Sequence, residues 1–118
     1  MEEILSAVKE SAKRICANIK DVDVGKTGHT NATGDTQLKL DVLSDQIIEE
    51  CFNPLQSVKT LISEEKDKAL HVRDSGRYII GYDPLDGSSL VDVNLSVGSI
   101  FGIYEDGIGG ANLKCAAY

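Results

Sequence analysis

The chain has 118 residues, with 19 acidic against 12 basic side chains and a net charge of −7. That length supplies one domain with its own core, and an apolar share of 42% fits a globular, soluble chain. The acidic balance argues against a nucleic-acid binder, and no apolar run approaches the length that crosses a membrane. An acidic protein that handles phosphorylated substrates must neutralise its site locally, and bound cations are the simplest means. Met1-Glu2-Glu3 is acidic where a secretory leader is basic, so the chain reads as cytoplasmic. Cys16, Cys51 and Cys115 are odd in number and lack CxxC spacing, which predicts reduced, buried small hydrophobes.

Residues 2–20 carry Ile4, Leu5, Val8, Ala12, Ile15, Cys16 and Ile19 at helical spacing. This predicts an amphipathic helix whose stripe packs on the core or a subunit neighbour. Residues 21–35 hold Gly25, Gly28 and Gly34 among Lys26, Thr27, Thr30, Asn31 and Thr33, the composition of a loop. Its glycines lack the spacing of a nucleotide-binding loop, and His29 there is expected to be solvated. A second helix is predicted from about Thr36 to Phe52, with Leu40, Leu43, Ile47, Ile48 and Cys51 inward, Asp35 as N-cap and Pro54 as its stop. Asp41, beside Leu40, is a poor helix former and costly to bury. It either lies on the flank in water or points into a site as a base.

Ser57–Ile62 reads as a short strand ending in Ser63-Glu64-Glu65. The run Glu64–Lys68 is ordinarily a solvated turn, yet adjacent glutamates at a strand end repel unless a cation sits between them. Further strands are predicted over 69–72, with a surface His71, and over 77–82. The second of these aims at Gly81-Tyr82-Asp83-Pro84-Leu85-Asp86-Gly87-Ser88-Ser89. Proline is expected to stop the ladder, a tight turn to bring Asp83 and Asp86 to one point, and Gly87 to take a conformation closed to side chains. Ser88 and Ser89 then offer hydroxyls and N–H groups, an anion cradle beside hard oxygen ligands. Asp-Pro and Asp-Gly are equally ordinary turn signals. A helix–loop–helix calcium loop fails on spacing, because its third, fifth and twelfth positions would be Leu85, Gly87 and Asn94. Residues 91–104 predict a long, largely buried strand, Glu105-Asp106-Gly107 a turn, and 111–118 the start of another strand.

Taken in order, Gly34-Asp35, Lys39-Leu40-Asp41, Ser63-Glu64-Glu65, the Asp83–Ser89 stretch and Val97–Tyr104 closely resemble class I fructose-1,6-bisphosphatase. The likeness runs from the first helix to the last residue. The wider superfamily of lithium-sensitive, magnesium-dependent phosphatases, inositol monophosphatases included, shares the carboxylates. Leu85 and Ser88-Ser89 look like the sugar bisphosphatases rather than the inositol enzymes. The resemblance implies that Glu64, Glu65, Asp83, Asp86 and the carbonyl of Leu85 bind Mg²⁺, with Mn²⁺ as a substitute. It implies that Gly87, Ser88 and Ser89 hold the 1-phosphate of fructose 1,6-bisphosphate, and that Asp41 and Glu65 activate water with support from Asp35. It implies a homo-oligomer, tetrameric in the family, working in gluconeogenic or Calvin-type carbon metabolism.

The chain departs from the family in three ways. The family continues beyond Tyr118, where it carries another metal-binding acid and its sugar grip. Leu90 replaces a usual Asn. The chain opens at what resembles the family's second helix, so the AMP-binding N-terminal segment of the animal enzymes is expected to be absent, and AMP inhibition with it. The fold expected is α+β, with both helices on one face of a mostly antiparallel sheet, as a single N-terminal metal- and phosphate-binding domain over 1–118. A related inositol-phosphate or nucleotide-bisphosphate phosphatase, or a truncated inactive product serving as an interaction unit, are the alternatives.

Overall fold

A computed structural model of the chain describes residues 1–19, 26–30, 36–88 and 97–118. Helix α1 (Glu2–Ile19) is followed by two short strands, β1 (Lys26–Thr30) and β2 (Thr36–Leu38), and by helix α2 (Lys39–Phe52). Strands β3 (Val58–Ser63), β4 (Leu70–His71), β5 (Tyr78–Asp86), β6 (Gly98–Glu105) and β7 (Leu113–Ala117) form one sheet in the order β4-β3-β5-β6-β7. Only β3 and β5 run parallel; β3–β4, β5–β6 and β6–β7 are antiparallel. The α+β class and the mostly antiparallel sheet are as expected.

The inward face of α1 is Ile4, Ala7, Ser11 and Ile15, steps of three and four. Leu5, Ala12 and Cys16, read from the sequence as part of the stripe, are exposed, because each sits one residue, about 100°, beyond a buried one. Ser11 tolerates burial by donating its hydroxyl to the Ala7 carbonyl at 2.8 Å. Arg14 ties α1 to α2 through an ion pair with Glu50 and a 3.6 Å contact to the Cys51 sulfur. All three cysteines are free, but Cys16 is exposed and the others only half-buried, which corrects the expectation of burial.

The predicted loop over 21–35 contains a strand instead. β1 pairs antiparallel with β2, Lys26 facing Leu38 and Thr30 facing Thr36, so α2 begins at Lys39 rather than Thr36. The proposed N-cap, Asp35, lies outside the described residues. At the far end the Asn53 N–H still reaches the Glu49 carbonyl at 2.8 Å, and Pro54 follows.

Strand β5 also runs further than its sequence implied. Its ladder with β6 stays in step to Asp83↔Ile100 and resumes at Asp86↔Gly98, so three residues of β5 advance against two of β6. Pro84 sits inside this bulge, where its missing N–H costs no ladder bond, and so does not end the strand. Of the predicted strand over 91–104, the described part is β6, and only Phe101 and Ile103 of it are buried, while Ile100 is exposed. The turn after it is as predicted, with Asp106 and Gly107 at φ 65° and 137°. The core lies between the helices and the sheet, where the Phe101 ring stands 5.9 Å from Phe52 and 6.2 Å from Tyr82. No helix among the described residues is long and apolar enough to cross a membrane.

Candidate metal and phosphate site

Strands β3 and β5 are parallel neighbours, so their carboxyl ends lie side by side. The register pairs Ser63 with Tyr82. The next residues, Glu64 and Asp83, therefore fall beside each other, and the Glu64 N–H extends the ladder to the Tyr82 carbonyl at 3.0 Å. This juxtaposition follows from strand pairing alone; residues 19 apart in sequence meet because two parallel strands end together. Open sheets commonly place ligands at such carboxyl ends.

The two carboxyl groups meet. Asp83 is half-buried, and its acidity is weakened to a pKa of about 7, first by burial, then by a hydrogen bond and charge repulsion from Glu64, with Asp86 adding repulsion. The Leu85 N–H, 3.0 Å from Asp83 Oδ1, works the other way and holds the side chain in place. Two carboxylates this close cannot both ionise cheaply, so Asp83 favours its protonated form, and a divalent cation can take the place of that proton. Leu85 turns its side chain into the core, leaving its carbonyl as the only ligand it can offer. Asp86 follows at the end of the bulge, and Gly87 takes φ 78°, left-handed backbone that suits glycine. Ser99 Oγ donates to the Pro84 carbonyl at 2.7 Å, pinning the bulge from β6.

Glu65 stands at the turn after β3, its N–H held by Ser63 Oγ at 3.1 Å. Asp41, in the first turn of α2, is only 2% exposed, so the inward placement holds over the solvated flank. A carboxylate there also gains from the positive end of the helix dipole. Ser88 is half-buried, while Asp35 and Ser89 lie outside the described residues. His71 is on the surface as predicted, 3.0 Å from Asp74. Among the described residues, no three His, Cys, Asp or Glu side chains converge as a ready-made metal cage. The donors nevertheless fit magnesium, a hard ion usually held by one or two carboxylates, several waters and the substrate phosphate.

Sequence reasoning missed Asp45, Lys66 and Tyr82. Asp45 on α2 is 3% exposed; it accepts the Tyr82 hydroxyl at 3.1 Å and faces Lys66 Nζ at 2.8 Å. Lys66 also pairs with Glu49. Burial works against the Lys66 charge, but Asp45 and Glu49 outweigh it and raise its pKa. Burial above all, then the charges of Asp45 and Glu49, push the Tyr82 hydroxyl far above its usual range, so it remains a donor. The signal was available: Asp41 and Asp45 share a helix face at i,i+4, a repulsive pairing that calls for compensation elsewhere.

The family described as fructose-1-6-bisphosphatase, N-terminal domain, matches residues 1–114. The class 1 fructose-1,6-bisphosphatase of Campylobacter hominis is 58% identical over the whole chain, which spans 42% of that protein; that of Campylobacter jejuni strain 81-176 is 47% identical over the same span. The chain thus covers about two fifths of the length of the curated relatives it matches. Among solved structures, the holo form of Leishmania major fructose-1,6-bisphosphatase aligns with TM-score 0.81 and 38% identity over 87% of this chain and 33% of that one. A Toxoplasma gondii protein assigned as a sedoheptulose-1,7 bisphosphatase aligns with TM-score 0.78 and 30% identity over 93% of this chain and 35% of that one. The chain belongs to the fructose-1,6-bisphosphatase N-terminal domain family.

Proposed function

We propose that the chain is the metal- and phosphate-binding domain of a fructose-1,6-bisphosphatase, which hydrolyses the 1-phosphate of fructose 1,6-bisphosphate to fructose 6-phosphate and phosphate. The observation that carries this reading is the meeting of the Glu64 and Asp83 carboxyl groups at adjacent strand ends, with Asp86 and the left-handed Gly87 following in the chain. Glu64, Glu65, Asp83, Asp86 and the Leu85 carbonyl would hold Mg²⁺ or Mn²⁺, and their oxygens suit a hard cation. When bound, the cation neutralises phosphate charge and lowers the pKa of water.

The chain's own residues do the remainder. Gly87, Ser88 and Ser89 present N–H and hydroxyl donors to the phosphate oxygens. Asp41 and Glu65 orient the attacking water and take its proton, and Asp35 supports them. Positioning of this kind, with charge neutralisation, supplies most of the catalysis in phosphoryl transfer. The activity belongs to carbon metabolism in the cytoplasm, and to a homo-oligomer.

The test is magnesium-dependent phosphate release from fructose 1,6-bisphosphate, with inositol 1-phosphate and an Asp83→Asn variant alongside. Release from the sugar bisphosphate alone, abolished in the variant, is the expected result. Equal release from inositol 1-phosphate or undiminished release by the variant would contradict the assignment; no release from either substrate would mean that the activity belongs to a longer protein of which this chain is the metal-binding part.

A further inference from the structure

A hydrogen-bonded chain links the middle of α2 to the backbone of the acidic turn. Asp45, nearly fully buried, accepts the Tyr82 hydroxyl at 3.1 Å. Ser63 is the ladder partner of Tyr82, and Ser63 Oγ accepts the Glu65 N–H at 3.1 Å. Glu65 N–H thus donates to Ser63, and on the neighbouring strand Tyr82 donates to Asp45. The other Asp45 oxygen takes Lys66 Nζ at 2.8 Å, so the turn is held at both Glu65 and Lys66. The Lys66 N–H closes the turn on the Ser63 carbonyl at 3.3 Å.

We infer that Asp45, Tyr82, Ser63 and Lys66 form a clamp that positions Glu64 and Glu65 for metal, with Asp45 as its anchor. Three of the four members sit beside a proposed ligand without being one. Tyr82 precedes Asp83, Ser63 precedes Glu64, and Lys66 follows Glu65. One buried carboxylate thus ties the turn after β3 to α2 and to β5. Without it, two neighbouring, half-buried glutamates would swing apart under their own repulsion. Groups that orient ligands in this way govern metal affinity nearly as strongly as the ligands themselves.

The inference rests on the metal reading above, and its test separates the two. Mn²⁺ affinity of the chain is measured by titration calorimetry for the unaltered protein and for Asp83→Asn, Tyr82→Phe, Lys66→Met and Lys66→Arg. Amide hydrogen exchange at Glu65 is followed in the absence of metal. The clamp predicts about tenfold or weaker Mn²⁺ binding in Tyr82→Phe and Lys66→Met, recovery in Lys66→Arg, and faster Glu65 exchange in Lys66→Met while the rest of α2 and β5 stays protected. Binding lost in Asp83→Asn but unweakened in Tyr82→Phe and Lys66→Met would overturn the clamp alone. An unaltered chain that binds no Mn²⁺ would overturn the metal reading and the clamp with it.

Discussion

At the residue scale, the site is a problem of like charges placed together and held there. Asp83 carries the heaviest load, since burial and Glu64 both oppose its ionisation. Its replacement by Asn keeps the hydrogen bond from the Leu85 N–H and removes the charge that binds metal. Metal-dependent hydrolysis should vanish while the circular dichroism spectrum stays unchanged. Asp41 is a different case, a buried acid in the first turn of a helix. If it takes a proton from water, Asp41→Asn should lower kcat by about 100-fold or more and leave KM nearly unchanged. Ser44, one turn on, buries a hydroxyl with no hydrogen-bond partner among the described residues. Ser44→Ala removes that uncompensated group from a helix and should stabilise the chain by about 1 kcal/mol, read from the urea midpoint.

At the element scale, the aromatic contact between α2 and the sheet decides whether the site is assembled. Phe52 and Phe101 are both fully buried and stacked, and Tyr82 joins them from β5. Phe101→Ala should cost about 3–5 kcal/mol in denaturant unfolding, a large share of a small domain's stability. The same elements show how far the sequence could be read. Both helices were legible because their apolar residues recur every three or four positions, and β5 because of Tyr78-Ile79-Ile80. Strands β1 and β2 were not, because Lys26–Thr30 and Thr36–Leu38 carry no apolar alternation. Pro84 misled, since a bulge can absorb a proline that a regular ladder rejects. The carboxylates of the site were found through their resemblance to a family. The i,i+4 spacing of Asp41 and Asp45 hinted at a compensated acid, but its partners Lys66 and Tyr82 are defined only once α2, β5 and the turn after β3 are packed together.

At the scale of the whole molecule, the site couples stability to pH. Asp83 in the folded chain keeps its proton up to about 7, whereas an unfolded aspartate loses it near pH 3.9. Between those values the folded state binds more protons than the unfolded state, so this group's contribution makes stability fall as pH rises. Chemical denaturation of the metal-free chain at pH 4.5 and at pH 7.5 should show this loss. It should be smaller in Asp83→Asn, which has no proton to give up, and in the unaltered chain with saturating Mg²⁺ at the higher pH. A net charge of −7 adds general repulsion at neutral pH, which the same variant, one charge fewer, relieves only slightly.

The central claim is that Asp83, beside Glu64, exchanges its proton for a divalent cation. The most direct measurement is Mn²⁺ titration calorimetry at pH 6 in two buffers of different ionisation enthalpy, which counts protons released per cation bound. The account predicts release of about one proton, with both binding and release lost in Asp83→Asn. Binding without proton release, or binding that survives Asp83→Asn, would contradict it.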